Sequence, residues 1–203
     1  MSRDVAVVAT GTANTASVMA AFARLGAEPE VAVDPEEVAL SDRVVLPGVG
    51  SFGAAIAEID RLGMRQALRE RLWEGRPTLA ICVGMQLLAI SSEESDGALG
   101  LEIFDEPVRR FPETVLVPQL GWNRVEAGPE CRYVGDGWAY FANSYRLGSV
   151  PDGWVAATAD HGGRFVAALE RGEVLACQFH PELSGTWGRS VLAGWLASER
   201  VAV

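Results

Sequence analysis

Cys82 stands where a thiol could act as a nucleophile. The apolar run Thr78–Ile81 predicts a buried strand that ends at this cysteine, and the helical pattern of Gly84–Ile90 follows directly. A tight strand-to-helix turn would place the thiol at the carboxyl edge of a parallel sheet, and small Gly84 would let the backbone turn closely. The helix N-terminus would lower the pKa of the thiol and leave N–H groups for an oxyanion. A buried structural cysteine fits the same window.

A base and a carboxylate stand two residues apart in His180-Pro181-Glu182. Proline biases His180 towards an extended conformation, in which residues two apart face the same side. Glu182 could therefore orient the imidazole and stabilise its charge, as in a nucleophilic triad. A surface histidine beside a glutamate in a turn is the alternative. The other histidine of the chain is His161, and its Asp-His-Gly-Gly context indicates an exposed turn.

The segment Leu46–Gly53 contains the spacing G-x-G-x-x-G after a strand-like run. That spacing can mark a dinucleotide site, but here it follows the third predicted strand, and Pro47 interrupts the step into the glycines. The acidic strand end that a dinucleotide site needs about 20 residues later is also missing. We therefore expect a glycine-rich turn whose backbone N–H groups could hold an oxyanion.

The composition excludes several other chemistries. The 203 residues carry a net charge of −10, so nucleic-acid phosphates and anionic membranes are poor partners. All 17 basic residues are arginine, which excludes Schiff-base and P-loop lysines. Three separated cysteines and two histidines provide no disulfide framework and no metal-binding pair, so we expect no metal and no cofactor. Because no signal peptide and no long apolar run is recognisable, the chain is expected in the cytoplasm.

Hydrophobic patterning divides the chain into two halves. Short apolar strands alternate with helical segments in the first half, whereas residues from about Leu101 to Val174 form short β segments. This predicts an α/β fold, doubly wound, with a mostly parallel central sheet flanked by helices and an additional mixed or antiparallel β segment in the second half. Since no linker or repeat is visible, residues 1–203 are expected to form a single domain. The predicted strands are Val5–Ala9, Glu30–Val33, Arg43–Leu46, Thr78–Ile81, Val115–Val117, Trp138–Phe141, Trp154–Thr158, Phe165–Leu169 and Val174–Phe179, and the predicted helices are Ser17–Leu25, one or two within Gly53–Gly75 with a break at Gly63, Gly84–Ile90 and Gly188–Ser198.

In chain order these motifs resemble those of the class I, or triad, glutamine amidotransferases. The resemblance rests on Pro47-Gly48-Val49-Gly50, Ile81-Cys82-Val83-Gly84-Met85-Gln86 and His180-Pro181-Glu182. It extends from the Gly11–Val18 segment to Gly188 and so covers nearly the whole chain. Two further motifs are similar to those of the family's glutaminase subunits in histidine biosynthesis, namely Pro118-Gln119-Leu120-Gly121-Trp122-Asn123 and Tyr140-Phe141-Ala142-Asn143-Ser144-Tyr145.

The resemblance implies hydrolysis of L-glutamine to glutamate and ammonia through a glutamyl thioester. Cys82 would be the nucleophile, His180 would shuttle the proton, and Glu182 would orient His180. The ammonia would pass to a separate (β/α)8-barrel cyclase subunit, which uses it to make imidazole glycerol phosphate and an aminoimidazole carboxamide ribonucleotide. Asn14 and Trp122 would lie near the interface with that subunit.

The resemblance also assigns the oxyanion hole and the substrate pocket. Backbone N–H groups near Val49 or Gly50 and at Val83 would hold the oxyanion. A carboxylate suits the ammonium group of a free amino acid, although Glu94 would equally fit a solvated polar turn. By resemblance, the glutamine pocket would be lined by Gly50, Gln86, Glu94, Ser144 and Tyr145.

Several positions depart from the usual pattern of the family. The opening Asp-Tyr-Gly-x-Gly-Asn is here Ala-Thr-Gly-Thr-Ala-Asn, from Ala9 to Asn14. Gln119 and Asn143 stand where histidine is common, and Leu183 stands where lysine commonly follows His-Pro-Glu. None of these positions belongs to the triad, so they bear on the interface and on coupling between subunits.

Three other functions fit part of the same evidence. A sister glutaminase, such as the anthranilate synthase or pyridoxal phosphate synthase subunit, would share the chemistry, but the Trp122-Asn123 motif argues against it. A cysteine peptidase or amidase could use the same triad, although Gln86 and Glu94 suit a free amino acid better than a peptide. A non-catalytic binding module would not need Cys82, His180 and Glu182 together.

Overall fold

The computed structural model describes residues 4–11, 14–48 and 50–198. Its strands are β1 (Asp4–Val8), β2 (Glu28–Ala32), β3 (Arg43–Leu46), β4 (Thr78–Ile81), β5 (Arg109–Arg110), β6 (Gln119–Val125), β7 (Gly137–Asn143), β8 (Tyr145–Arg146), β9 (Val155–Asp160), β10 (Arg164–Arg171) and β11 (Val174–Cys177). Its helices are α1 (Thr15–Arg24), α2 (Pro35–Leu40), α3 (Phe52–Arg61), α4 (Arg65–Trp73), α5 (Val83–Gln86) and α6 (Gly185–Leu196), with a single 3-10 turn at Pro181–Leu183.

A central sheet organises these elements. Within the described residues it has seven strands in the order β2-β1-β3-β4-β11-β10-β9. Strands β2, β1, β3, β4 and β11 run parallel, and β10 pairs antiparallel with both β11 and β9. Separate antiparallel pairs, β6 with β7 and β5 with β8, come from the second half of the chain. The predicted α/β fold with a mostly parallel sheet and additional β segments is confirmed.

The central strands are apolar after their first residues, Arg43 in β3 and Thr78 in β4, as expected when both faces of a sheet are covered. All residues of β4 and β11 are buried, and β3 is buried from its second residue. Near-continuous runs of Val, Leu, Ile and Ala are typical of parallel strands between layers of helices. This core fixes the carboxyl ends of β3, β4 and β11 beside one another.

Two local features of the helices follow from turn and capping chemistry. The predicted break at Gly63 is confirmed, since α3 ends at Arg61 and α4 begins at Arg65, with φ of Gly63 at +69°. Helix α2 was not predicted. It begins with a capping box in which Asp34 accepts from the first turn and the Glu37 side chain accepts from the backbone N–H of Asp34.

The strand predicted at Val115–Val117 was wrong. These residues form a turn in which the N–H of Val115 donates to the Pro112 carbonyl, and Leu116 is 86% exposed. The strand begins only after Pro118, where Gln119 pairs with Asn143 at the end of the β6–β7 ladder. The run Val115–Val117 is apolar like a strand, but it lies in a turn, so composition alone gave the wrong prediction.

The helix predicted over Gly84–Ile90 is much shorter than expected. Helix α5 ends at Gln86, because the following carbonyls accept hydrogen bonds from residues distant in sequence. The Leu87 carbonyl accepts from Leu101 at 2.6 Å, and the Leu88 carbonyl accepts from Ile103 at 2.8 Å. Tertiary pairing therefore replaces the continuation of the helix.

The register of the parallel strands positions the candidate site. Ile81 of β4 pairs with Cys177 of β11, so the chain leaves both strands side by side at the carboxyl edge of the sheet. Cys82 and Gln178 emerge at the same level, and His180 follows two residues later. Across residues 4–11, 14–48 and 50–198, no helix is long and apolar enough to cross a bilayer.

Candidate active site

Cys82 occupies a strained turn at the carboxyl end of β4. Its φ of +54° and ψ of −110° lie where residues with a Cβ are rarely found. The N–H of Cys82 donates to the Cys177 carbonyl at 2.7 Å, and α5 starts at the next residue. The side chain is buried, with 3% of the residue exposed. The predicted strand-to-helix turn is therefore present and holds the thiol inside the protein.

Two glycines allow the Cys82 turn to pack against the end of β3. A Cβ on Gly84 would lie 2.0 Å from the Leu46 carbonyl oxygen, and a Cβ on Gly48 would lie 2.5 Å from the Gly84 nitrogen. No real side chain tolerates contacts this short, so the backbone segments could not approach as closely with any other residue. The close approach brings Gly48 beside the turn that carries the nucleophile.

His180 and Glu182 lie beside Cys82, at the start of the 3-10 turn. Nδ1 of His180 is 2.9 Å from Oε1 of Glu182, and the ring lies close enough to the Cys82 thiol for the thiol to raise its pKa. The backbone of His180 is fixed at both ends, because its N–H donates to the Tyr140 carbonyl and its carbonyl accepts from the Ser184 hydroxyl. The structure therefore brings thiol, imidazole and carboxylate together at the carboxyl end of the central strands.

The contacts of His180 set its charge. Burial lowers the pKa of the imidazole, but the hydrogen bonds to Cys82 and Glu182 raise it more, to about 10. The side chains of His180 and Glu182 are 5% and 2% exposed, so water screens this pair weakly. A protonated imidazole between a carboxylate and a thiol can stabilise a thiolate and give a proton to a leaving group.

Hydrogen-bonded amide side chains extend from the Cys82 thiol to the segment that follows β7. The Gln178 side-chain amide is 3.8 Å from Sγ of Cys82, and its carbonyl oxygen accepts from the Gln86 amide at 3.0 Å. Gln86 also donates to the Tyr145 carbonyl at 3.1 Å, which accepts from Asn143 at 2.9 Å as well. Gln178 was not singled out from the sequence. Its signal was a glutamine directly after the apolar Val174–Cys177 strand.

The candidate oxyanion donors lie in the turn before α3 and at the start of α5. The N–H of Val83 donates to the Gly48 carbonyl at 3.4 Å, so it is engaged within the chain. Gly50 has a φ of +95°, which suits glycine and lets the backbone change direction there. Val49 lies outside the described residues. An oxyanion could use the Val83 N–H only after the Gly48 carbonyl turns away.

Glu94 lies at the N-terminus of α3, close to the same turn. Its Oε2 accepts from the N–H of Phe52 at 2.6 Å, and the neighbouring Ser95 hydroxyl accepts from Gly53 at 3.0 Å. Ser51 caps the next N–H, that of Ala54. The segment with Glu94 is thus docked on the helix and is not a free polar turn.

The remaining pocket and interface candidates surround this centre. Ser144 follows β7, and its carbonyl accepts from the N–H of Phe111. Asn14 is exposed at the start of α1, whose helix contacts the 3-10 turn that carries Glu182. Trp122 is 55% exposed and packs edge-on against Tyr140, whose carbonyl binds His180. Both interface candidates therefore lie at the carboxyl edge of the sheet.

The hairpin of β6 and β7 presents an exposed apolar face, which we call the outer hairpin face. In its register Trp122 pairs with Tyr140, and more exposed residues alternate with less exposed ones along both strands. Exposed apolar side chains that share one face, here Leu120, Trp122 and Trp138, are typical of sites of protein association. Its residues are Leu120, Trp122, Arg124, Trp138, Tyr140 and Ala142.

The unusual residues noted in the sequence fall around this hairpin. Gln119 and Asn143 face each other across the β6–β7 ladder on its buried side. The Gln119 amide has no hydrogen-bond partner within the described part of the chain. Leu183 is 42% exposed in the 3-10 turn, directly after Glu182. Asn143 lies two residues before Tyr145, which binds Gln86, and Leu183 directly follows Glu182, which binds His180.

The contacts of His161, Cys177 and Cys131 are those of structural residues. His161 hydrogen bonds to the Leu116 carbonyl at 2.8 Å and packs edge-on against Phe111. Cys177 is fully buried, and burial raises the pKa of its thiol well above the usual value. Burial also raises the pKa of the half-buried Cys131 thiol. In the described residues, no group of three or more His, Cys, Asp or Glu could hold a metal ion.

A family model agrees with this arrangement of fold and site. The model described as "Glutamine amidotransferase class-I" matches residues 6–196, which is most of the chain. The chain therefore belongs to the class-I glutamine amidotransferase family, as the motifs had indicated.

Individual relatives indicate which members of the family the chain is similar to. Imidazole glycerol phosphate synthase subunit HisH of Symbiobacterium thermophilum is 38% identical, over 94% of this chain and 92% of its own length. Imidazole glycerol phosphate synthase hisHF, chloroplastic, of Arabidopsis thaliana is 37% identical over 92% of this chain, but the match covers 33% of that longer protein. A crystal structure titled as a glutamine amidotransferase has the same fold, with a TM-score of 0.73 at 21% identity over 95% of this chain and 96% of that one.

Proposed function

We propose that this protein hydrolyses L-glutamine to glutamate and ammonia and supplies the ammonia to the cyclase subunit of imidazole glycerol phosphate synthase, in histidine biosynthesis. The observation that carries the proposal is His180, whose Nδ1 hydrogen bonds to Glu182 and whose ring lies beside the Cys82 thiol in a class-I amidotransferase fold. We infer further that residues 1–203 form one amidotransferase domain. The cytoplasmic location stays a prediction from the sequence.

The three side chains together support a covalent mechanism. Sγ of Cys82 attacks the side-chain amide carbon of glutamine and forms a tetrahedral oxyanion. His180 gives a proton to the amide nitrogen, the carbon–nitrogen bond breaks, and ammonia leaves behind a glutamyl thioester. His180 then takes a proton from water, which attacks the thioester and releases glutamate and the thiol. Glu182 holds Nδ1 of His180, so the other ring nitrogen serves Cys82.

The oxyanion donors in this proposal are the N–H of Val83 and those of Val49 or Gly50. The bond from Val83 to the Gly48 carbonyl supports a resting state in which one donor is engaged. We expect the isolated chain to be nearly inactive and the partner, with its nucleotide ligand, to release this donor. Removal of a single oxyanion donor typically costs about 10²–10³ in kcat, which sets the scale of the expected stimulation.

The glutamine pocket would lie between the nucleophile, α3 and the Gln86 side chain. Gln86 is 5% exposed and fixed by Gln178 and Tyr145, so its position is set before substrate arrives. The side chain of Glu94 could pair with the substrate ammonium. The proposed lining is Gly50, Gln86, Glu94, Ser144 and Tyr145.

The outer hairpin face would bind the cyclase, which we expect to be a (β/α)8 barrel. Trp122 links this face to the site through Tyr140 and the backbone of His180, and Asn14 lies at the same edge of the sheet. The Arabidopsis relative, whose name joins hisH and hisF, supports a partner at close range. Docking here would cover exposed apolar surface and shield the released ammonia from water.

The first experiment measures glutamate release by the chain alone, with a histidine-pathway cyclase subunit, and with that subunit plus its nucleotide substrate. We expect stimulation of about 10²-fold or more in the complete mixture. Glutamine hydrolysis that ignores the cyclase would point to a sister glutaminase. Hydrolysis of peptides would point to a peptidase, and no hydrolysis under any condition would contradict the proposal.

The matched variant is Cys82→Ala. It should lower glutamate release by about 10⁴-fold or more, because no thioester can form. Co-elution with the cyclase and the unfolding midpoint should stay near those of the wild type. Unchanged hydrolysis would remove Cys82 from the mechanism.

A further inference from the structure

The strongest unassigned contact near the site is the bond between the Glu94 carboxylate and the backbone of α3. The Oε2 atom of Glu94 lies 2.6 Å from the nitrogen of Phe52, the first residue of the helix. Gly50, a candidate oxyanion donor, lies two residues before Phe52. A carboxylate on the first N–H of a ten-residue helix is a charge-assisted bond and is favoured by the helix dipole.

The Glu94 segment is attached to α3 by more than one bond. Ser95 accepts from Gly53, and Ser92 accepts from the N–H of Glu94, so the segment docks as a short ordered turn. A Cβ on Gly53 would lie 2.9 Å from the Ser95 hydroxyl, which shows how closely the two segments approach. The segment that carries Glu94 therefore holds Phe52 and Gly53, where the glycine-rich segment enters α3.

The second oxygen of Glu94 is available for another group. Oε1 has no hydrogen-bond partner in the described ranges, and the residue is half-buried. A carboxylate can accept bonds on both oxygens at once. One side chain could thus bind the substrate ammonium on Oε1 and the helix on Oε2.

We propose that Glu94 is a positioning residue, which links an occupied glutamine pocket to the backbone turn that carries the oxyanion donors. The inference rests on the proposed function. When glutamine binds, its ammonium group fixes the Glu94 carboxylate, and through Phe52 the carboxylate fixes the end of the turn next to Gly50. A substrate without an α-ammonium group would lack this effect. Glu94 would then contribute to the rate of the chemical step as well as to substrate affinity.

Two substitutions separate these contributions. Glu94→Gln loses the charge but keeps a carbonyl oxygen for Phe52, whereas Glu94→Ala loses both. With each chain assembled with the cyclase subunit and its nucleotide, Glu94→Gln should raise KM for glutamine about 10–100-fold and keep kcat within about threefold. Glu94→Ala should raise KM similarly and lower kcat by about a further tenfold. Glu93→Gln makes the same chemical change on the neighbouring carboxylate, which accepts from Arg109 and from the N–H of Arg110, so it is the control and should keep both constants within about threefold.

Amide hydrogen exchange of Phe52 provides a readout that needs no turnover. Measured in the same complexes without glutamine, protection of the Phe52 N–H should be lost in Glu94→Ala and partly kept in Glu94→Gln. Equal kcat values for the two variants, with equal exchange, would overturn the positioning role. An unchanged KM in Glu94→Gln would overturn the ammonium contact. If the wild-type complex released no glutamate, the proposed function would fail, whereas the exchange result would still report the contact.

Discussion

The two ends of the parallel strands differ in how they are built: the amino edge, where β3 and β4 begin, and the carboxyl edge, where β3, β4 and β11 end. At the amino edge, the guanidinium of Arg71 is fully buried and donates to the carbonyls of Val38, Ser41, Asp42 and Pro77 and to the Thr78 hydroxyl. These acceptors lie on α2, before β3 and at the start of β4. One side chain therefore ties three segments together, and each of its nitrogens has a partner.

The carboxyl edge, in contrast, carries strain and incomplete pairing. Cys82 has a positive φ, and the N–H of Val83 makes a long bond to Gly48. Oε2 of the buried Glu182 has no partner within the described part of the chain. At the amino edge the positive φ values near β4 and β11 belong to Gly75 and Gly172, for which they cost little. Complete hydrogen bonding thus stabilises the amino edge, whereas the reactive groups lie at the carboxyl edge.

The largest expected effect comes from breaking the amino edge with Arg71→Met. The methionine fills part of the space but removes the Arg71 donor from four carbonyls, of which that of Pro77 keeps a backbone donor, the N–H of Val44. A buried carbonyl that loses its partner costs about 1–3 kcal/mol. Burial lowers the pKa of Arg71 to about 9, so the guanidinium is still charged at neutral pH, and removing that buried charge offsets part of the loss. We expect urea unfolding to show a net loss of about 4 kcal/mol or more.

Glutamate release per folded molecule should stay unchanged in Arg71→Met, because the substitution lies at the far edge from Cys82. Arg76→Met is the control, since the half-exposed Arg76 side chain makes long contacts, 3.5 Å to the Ser41 carbonyl and 4.0 Å to Glu74. It should change the free energy of unfolding by about 0.5 kcal/mol or less. Equal losses in the two variants would mean that burial of Arg71 does not distinguish this edge.

A smaller loss of stability is expected from Gly84→Ala at the carboxyl edge. The new Cβ would meet the Leu46 carbonyl at 2.0 Å, so β3 and the Cys82 turn must separate. Overpacking of this kind typically costs about 1–3 kcal/mol. Unlike Arg71→Met, it should also lower kcat for glutamine, because the thiol moves relative to His180.

The control for Gly84→Ala is Gly194→Ala in α6, where an added Cβ meets nothing within 4 Å. Alanine is favoured over glycine inside a helix by about 0.5–1 kcal/mol, so this variant should be slightly more stable and fully active. A Gly84→Ala protein with wild-type kcat would contradict the close approach of β3 and the nucleophile turn.

Much of the fold could be predicted because the central strands are buried on both faces. The runs Arg43–Leu46 and Thr78–Ile81 were predicted with the bounds that the structure shows. The β6 strand was harder, because its exposed alternate residues include Leu120 and Trp122, which hides the period of two. The early end of α5 depends on donors from residues 101 and 103, which no local pattern reveals.

The candidate site likewise contains some contacts that sequence patterns predict and others that they do not. The closeness of Cys82 to His180 follows from two apolar strands that each end at a reactive residue, which sequence patterns can show. The bond of Val83 to Gly48 and that of Glu94 to Phe52 depend on how loops pack after the sheet has formed. Such contacts join residues without any shared periodicity, so only the structure reveals them.

The carboxyl edge should also respond to pH through His180. Its pKa is raised to about 10 in the folded protein, against about 6.5 for a free histidine, so its contribution to stability is complete below pH 6.5 and is lost as pH rises towards 10. Glu182→Gln removes the charge of one of the two partners, Glu182 and Cys82, that raise this pKa. Wild type should exceed the variant in the free energy of unfolding by on the order of 1–2 kcal/mol at pH 6.5 and by less at pH 9.5.

Chemical denaturation at several pH values would measure this gap. Glu126→Gln is the matched control, because Glu126 pairs with Arg164 at 3.1 Å on the exposed surface. Its effect should be about 0.5 kcal/mol or less and should not change over this range. A constant gap between wild type and Glu182→Gln from pH 6.5 to 9.5 would show that His180 is not held in its charged form by this carboxylate.

The smallest expected effect is a gain in stability from Cys82→Gly. Glycine adopts a φ of +54° without the steric cost that a Cβ brings, whereas Cys82→Ala keeps that cost. Both variants lack the thiol and should release no glutamate, so the difference in their unfolding free energies isolates the backbone strain. Strain of about 1–3 kcal/mol, less about 0.5–1 kcal/mol for the greater freedom of glycine in the unfolded chain, leaves glycine ahead by about 1 kcal/mol. If alanine proved the more stable, the strain at the nucleophile would be absent, and the two edges would differ only in their hydrogen bonding.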